Sequence, residues 1–228
     1  MTESPLTLSV ICTIGPVPIT TPVVTTWGIM AALAGGSWLL TRRLALRPGT
    51  AQTVLELVVD AIGTQVRETL RTAPEPFMPL IGTLLLFILT ANWSSLIPGV
   101  EPPTAHLETD AALALIVFAA MLWFGIRARG LGGYLRGFAE PSIFMAPLNL
   151  VETVTRTFSL LVRLFGNVMG GVFVIGIVLS LAGLLVPIPL MALELLTGAV
   201  QAYIFSALAT VFIGGALGEA PQPHEAGT

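Results

Sequence analysis

Long apolar runs separated by short polar breaks organise this 228-residue chain. A membrane-crossing helix needs about 20 mostly apolar residues. On that scale the pattern predicts five spans, at about 21–40, 79–96, 111–126, 148–185 and 189–217. Pro48-Gly49, Pro98-Gly99, and Pro187 with Pro189 punctuate them, since proline removes a backbone donor and ends a helix. Segment 50–72 has a different pattern. Val54, Leu55, Leu57, Val58 and Ile62 recur at helical spacing against Glu56, Asp60, Arg67, Glu68 and Arg71, which predicts an amphipathic helix on the membrane surface or against a partner. The fold class expected is an all-α integral membrane protein forming one domain. Its last two helices, roughly 57 Å and 43 Å long at 1.5 Å per residue, are too long to stand upright and are expected to tilt strongly or to lie partly in the membrane plane. The Pro-, Glu- and Gly-rich tail 218–228 reads as disordered.

The charges give these spans a direction. Arg42, Arg43 and Arg47 follow the first span, and Arg127, Arg129 and Arg136 follow the third. The loop before the third span carries Glu101, Glu108 and Asp110 and no basic residue. Arginine-rich loops stay cytoplasmic, so the N-terminus is expected outside and the C-terminus inside, in a multi-pass cell (plasma) membrane protein. Composition supports lipid as solvent: 54% of residues are hydrophobic, 10% are charged, and mean hydropathy is +0.89, against about 25% charge in soluble domains. Nucleic-acid binding is disfavoured, because no basic cluster is interleaved with exposed aromatics. Cys12 is the only cysteine, and His106 and His224 lie far apart in polar loops, so no bound metal or cofactor is expected. The first twenty residues lack a basic n-region and contain Pro16 and Pro18, unlike a cleaved signal peptide. There is no internal repeat of the kind that builds many transporters.

Candidate chemistry lies in a polar stripe inside the fourth span. Glu152, Arg156, Ser159, Arg163 and Asn167 follow one another at steps of four, three, four and four and share one helix face. Glu152 and Arg156 can pair. Arg163 has no acid within a turn, and Gly166, Gly170 and Gly171 leave room for another helix to approach. An arginine inside a membrane helix costs about 2.5–3.5 kcal/mol on insertion scales, and Arg163 is too far from either end of its span to snorkel easily. It stays protonated, so its natural task is to attract a carboxylate and expel that carboxylate's bound proton or cation. In the fifth span Glu194, Thr197 and Gln201 again share a face. Glu194 suits proton relay or cation binding, or is an interfacial carboxylate near the helix start. Gln201 suits a hydrogen bond to Arg163 or a purely structural one, and Asn92 is equally open. Glu108 and Asp110 attract cations to an outer opening or are simply solvated loop charges.

Five ordered segments resemble subunit a of the F-type ATP synthase. They are RPGTAQTVLELVVDAI (47–62), GTLLLFILTANWSSLIPG (82–99), PPTAHLETDAALALIVF (102–118), RTFSLLVRLFGNVMGG (156–171) and QAYIFSALATVFI (201–213). The fourth, similar to the family's "RxxSLxxRLFGNxxxG", is the most specific. The resemblance implies the stator of a rotary motor, with partners in a ring of c subunits, the peripheral-stalk b subunits and the lipid bilayer. Arg163 would face the c-subunit carboxylate between two half-channels whose ion pathway draws on Asn167, Glu194, Gln201, Glu152, Arg156, Glu108 and Asp110. The translocated ion would be H+ or Na+, and this chain would not be an enzyme by itself. It has no G-x-x-x-x-G-K-[ST] phosphate loop, and ATP chemistry would fall to other subunits. Two departures stand out: Val172 occupies a position where the family often has Glu or His, and the outer segment reads His106-Leu107-Glu108-Thr109-Asp110. These features, with a short N-terminus, fit a variant sodium-translocating class. A self-contained channel and a non-conducting membrane scaffold, with Arg163 and Glu194 paired structurally, are the competing readings.

Overall fold

The computed structural model describes residues 10–14, 17–42, 49–70, 72–97, 100–138, 145–183 and 186–217. Arg43, Arg47, Pro48, Arg71, Pro98, Gly99, His224 and the tail 218–228 lie outside the described residues. Among the described residues, six α-helices make up the body: α1 (Thr21–Thr41), α2 (Thr50–Leu70), α3 (Met78–Trp93), α4 (Leu107–Phe138), α5 (Met145–Ala182) and α6 (Ile188–Leu217). All but α2 are long and apolar enough to cross a membrane. A short antiparallel pair, β1 (Val10–Ile14) and β2 (Val17–Thr20), precedes them. The sequence reading had no strand there. The segment Val10-Ile11-Cys12-Thr13-Ile14 is rich in β-branched residues, which favour a pleated conformation over a helix.

Local chemistry explains where these helices begin and how they tolerate their polar residues. Proline stands in the first turn of both α1 and α3, where its missing N–H leaves no helix bond unmade. Within α1, Thr25 and Thr26 donate their hydroxyls to the carbonyls of Thr21 and Pro22, at 3.1 and 2.8 Å. That satisfies both hydroxyls in an apolar segment. Arg42 closes α1 with its guanidinium 4.7 Å from the ring centroid of Trp38, a cation–π contact.

The core is formed by one face of each packed helix. In α2, Ile62 and Val66 are buried, and Val58 and Leu70 pack beside them. This spacing of four turns one stripe onto α3 and α6, while Glu56, Asp60, Arg67 and Glu68 stay exposed. In α5 the buried residues are Leu160, Leu164 and Val168, which join the cluster of Ile81, Ile88, Val117, Phe205 and Ile213 from α3, α4 and α6. Helices α3 and α6 are closely apposed because Gly198 has no side chain. A methyl group there would lie 3.0 Å from Asn92 Cβ.

The third span is the one whose limits differ most from expectation. Instead of 111–126 followed by a loosened loop, α4 begins at Leu107 and continues to Phe138. Gly130 bends it, with φ 74° and ψ 161°, a conformation that glycine alone adopts readily. Beyond the bend Tyr134 is buried against Gly125: a methyl group at position 125 would sit 2.5 Å from the Tyr134 ring. Arg129 Nε donates to the carbonyl of Leu217 at 2.9 Å, tying this end of α4 to the end of α6. Leu70 Cδ2 lies where a methyl group on Gly214 would be 2.8 Å away, so α2 ends beside the same end of α6. The bundle thus has an arginine end, where α2, α4 and α6 finish and α5 starts, and an opposite end carrying the Glu101–His106 segment.

Candidate functional site

Arg163 sits at the midpoint of the 38-residue α5. Its neighbour Leu164 is fully buried, whereas Arg163 is exposed. The two differ by about 100° around the helix axis, enough to turn one inward and the other out. Glu152, Arg156, Ser159 and Asn167 share the exposed face with Arg163. Phe158, Val162, Phe173 and Val174 are exposed as well, so the arginine stands within an apolar outer surface. Among the described residues, the ion pairs are Glu152 with Arg156 and Glu101 with His106, and the Arg163 guanidinium takes part in neither.

Of the two roles open for Gln201, a bond to Arg163 is not present among the described residues. Gln201 is buried in the bundle, and its Nε2 has no hydrogen-bond partner. Nor do Arg163 and Glu194 form an ion pair among the described residues. Asn92, left open by the sequence, is a cross-bundle clamp. Its Nδ2 donates to the carbonyl of Gly198 at 3.0 Å, and its Oδ1 accepts from Thr104 Oγ1 at 2.7 Å. Trp93 Nε1 donates to the carbonyl of Leu195 at 3.2 Å. Together these fix the turn of α6 that carries Glu194 and Thr197.

Openings lie on both sides of Arg163 along α5. Towards the arginine end, a cleft of ≈ 280 Å³ is lined by Glu152, Arg156, Arg129, Asn149, Tyr134 and Phe212, among others. Glu152 and Arg156 are hydrogen-bonded there, with the Arg156 guanidinium 5.6 Å from the Phe212 ring centroid. Towards the other end, Asn167, Gly170, Gly171, Glu194 and Thr197 line a cavity of ≈ 230 Å³. Gly171 makes room for Glu194: a methyl group at 171 would lie 2.7 Å from Glu194 Oε1, an oxygen that is buried without a partner. A third opening of ≈ 380 Å³ is lined by Glu101, His106, Met169, Val172 and Ser180, with His106 Nε2 3.5 Å from Glu101 Oε2. So the structure brings Glu152 together with Arg156, and Asn167 together with Glu194, while Arg163 stands between the two pairs.

Glu108 and Asp110 separate. Both were expected in a loop, yet both lie in the first turn of α4. Glu108 is exposed. Asp110 is 0% exposed, so a merely solvated loop charge is ruled out for it. Arg129, Asn149 and Tyr134 were not picked out as cleft residues. Asn149 had a signal, since Asn149, Glu152, Thr153 and Arg156 follow the helical steps of three, four and seven. Arg129 and Tyr134 had none, because the Gly130 bend places them.

Five apolar helices of membrane-crossing length, with Glu152, Arg156, Arg163, Asn167 and Glu194 placed along two of them, define a multi-pass membrane protein whose intramembrane ionisable groups suit ion transport. The family model for the ATP synthase A chain matches residues 23–214. The chain is 58% identical over 218 residues to ATP synthase subunit a 2 of Bradyrhizobium sp. (strain BTAi1), covering 96% of this chain and 98% of that protein. It is 48% identical to ATP synthase subunit a of Albidiferax ferrireducens, covering 89% of each, and 52% identical to ATP synthase subunit a 1 of Chlorobaculum parvum, covering 85% and 87%. The chain belongs to the ATP synthase A chain family.

Proposed function

We propose that this chain is the ion-translocating stator subunit of a rotary ATP synthase, and that Arg163 faces a carboxylate on each passing c subunit. The observation that carries the reading is an exposed guanidinium, unpaired among the described residues, at the middle of the longest apolar helix. Such a charge is stable in the membrane only against an anion or water, so its partner is expected on another chain.

The openings at these two levels supply the half-channels. One reaches Glu152 and Arg156 from the arginine end, and the other reaches Asn167 and Glu194 from the opposite end. Gln201 lies deeper, and Glu108 draws cations to the outer mouth. A c-subunit carboxylate releases its ion as it meets Arg163 and is reloaded from the other half-channel. The fixed positive charge repels cations and so blocks a direct leak between them. The membrane potential contributes about 2.3 kcal/mol per charge per 100 mV. Arg127, Arg129 and Arg136 then mark the cytoplasmic side, which puts the N-terminus outside and the C-terminus inside the cell (plasma) membrane. The translocated ion is H+ or Na+. The chain needs no cofactor of its own, ATP chemistry belongs to other subunits, and the peripheral-stalk b subunits hold it against rotation.

The test is Arg163→Ala in the whole complex reconstituted into liposomes. The complex is expected to assemble and to lose ion-driven ATP synthesis. Normal coupled synthesis by that variant would sink the assignment, and ion flux through the purified chain alone would favour a self-contained channel.

A further inference from the structure

Asp110 is the ionisable group that the stator reading explains least. Its side chain is fully buried, and neither carboxylate oxygen has a hydrogen-bond partner. Its N–H donates to the carbonyl of His106 at 3.3 Å, which seats it in the first turn of α4. Leu113, Ala114 and Val117 continue the same buried face. That face packs against α5, α6 and the 3-10 turn Pro103–Ala105.

None of these three elements supplies a compensating charge. The titratable side chains nearest along the chain are Glu108, which is exposed, and His106, whose Nε2 lies 3.5 Å from Glu101 Oε2, and neither bonds the Asp110 carboxylate. Between Leu164 and Ala182, α5 has no charged residue, and neither does Pro103–Ala105. The single charged residue of α6 is another acid, Glu194. Arg163 points to the outer surface, and Arg156 is already paired with Glu152. A buried carboxylate with no cation and no donor is more costly than a helix bundle tolerates. A purely structural position would be filled by an apolar residue or an amide.

We propose that Asp110 is an internal station that binds the translocated monovalent cation, H+ or Na+. Access is expected through the opening lined by Glu101 and His106, because the His106 carbonyl accepts the Asp110 N–H and His106 therefore lies one turn before it. Loading is the association of one cation with one carboxylate, and release is its reverse, so charge balances without another reactant. The site itself rests on burial and the missing partners. Only its place on a transport path rests on the stator reading.

The experiment compares Asp110→Asn, Asp110→Leu and Asp110→Glu in the assembled complex, in liposomes energised by an H+ or an Na+ gradient. Asp110→Asn and Asp110→Leu are expected to assemble and to lower coupled synthesis by about 100-fold, the scale of losing a positioned proton-transfer group, and Asp110→Glu to recover part of it. Infrared difference spectra of the purified complex identify the ion. A protonated-carboxyl stretch that shifts in D2O and is absent in Asp110→Asn means H+. Carboxylate bands that change when Na+ replaces K+, and are absent in Asp110→Asn, mean Na+. Wild-type synthesis by both Asp110→Asn and Asp110→Leu under both gradients overturns the proposal and leaves the Arg163 assignment standing. Coupled synthesis surviving in Arg163→Ala, with an Asp110-dependent infrared band still present, fails the stator reading and not the site.

Discussion

Asn92 Nδ2 donates to the backbone carbonyl of Gly198 at 3.0 Å, joining α3 to the middle of α6. The bond exists because Gly198 lets the two helices close to within one missing side chain. Interhelical hydrogen bonds in membrane proteins are worth about 1–2 kcal/mol at most. Asn92→Ala is therefore expected to lower the unfolding free energy of the detergent-solubilised protein by about that much. Gly198→Val should do at least as much damage by overpacking. A thermal-denaturation series checks both, and an unchanged Tm in Asn92→Ala would show that the clamp carries no weight.

Gly170 and Gly171 are adjacent but not equivalent. A methyl group at 171 would sit 2.7 Å from Glu194 Oε1, whereas one at 170 meets nothing within 4 Å. Gly171→Ala should push the Glu194 carboxylate aside and lower coupled ion transport by about 10–100-fold, as misplacing a reacting group does. Gly170→Ala should transport normally unless a partner subunit approaches there. Equal transport by the two variants would mean that Glu194 does not depend on its cavity.

Gly130 adopts φ 74° and ψ 161° within α4. Any other residue there is strained by about 1–3 kcal/mol. Gly130→Ala is expected to destabilise the protein by this amount, while Gly132→Ala, with open space around it, leaves it unchanged or slightly more stable. Chemical denaturation in detergent separates them.

Arg163→Lys tests whether charge alone suffices. Lysine keeps the cation but loses the planar fork and its five donors. Coupled synthesis is expected to fall by about tenfold or more while the complex still assembles. A lysine variant with full activity would reduce the site to a point charge.

The number and order of the spans were legible because about 20 apolar residues is a length that lipid itself imposes. The stripe through Arg163 was legible because helical steps are fixed. The limits of α4 were not. Gly130, Gly132 and Gly133 look like a loop, and nothing local reveals that Tyr134 folds back against Gly125. Asp110 followed a run of polar residues and passed for a loop acid, since its burial depends on α5 and α6. Gln201 stayed open between a bond to Arg163 and a structural role, because only the bundle shows that Gln201 is buried while Arg163 is exposed. Periodicity gives the direction of a side chain only relative to its own helix.

The outward position of Arg163 also bears on biogenesis. A chain inserted before the acidic partner proposed for it would hold an uncompensated cation against lipid, a penalty of about 2.5–3.5 kcal/mol. Docking removes that penalty. The residue proposed to separate the two half-channels would then also act as an assembly sentinel, leaving the orphan subunit less stable than the assembled one.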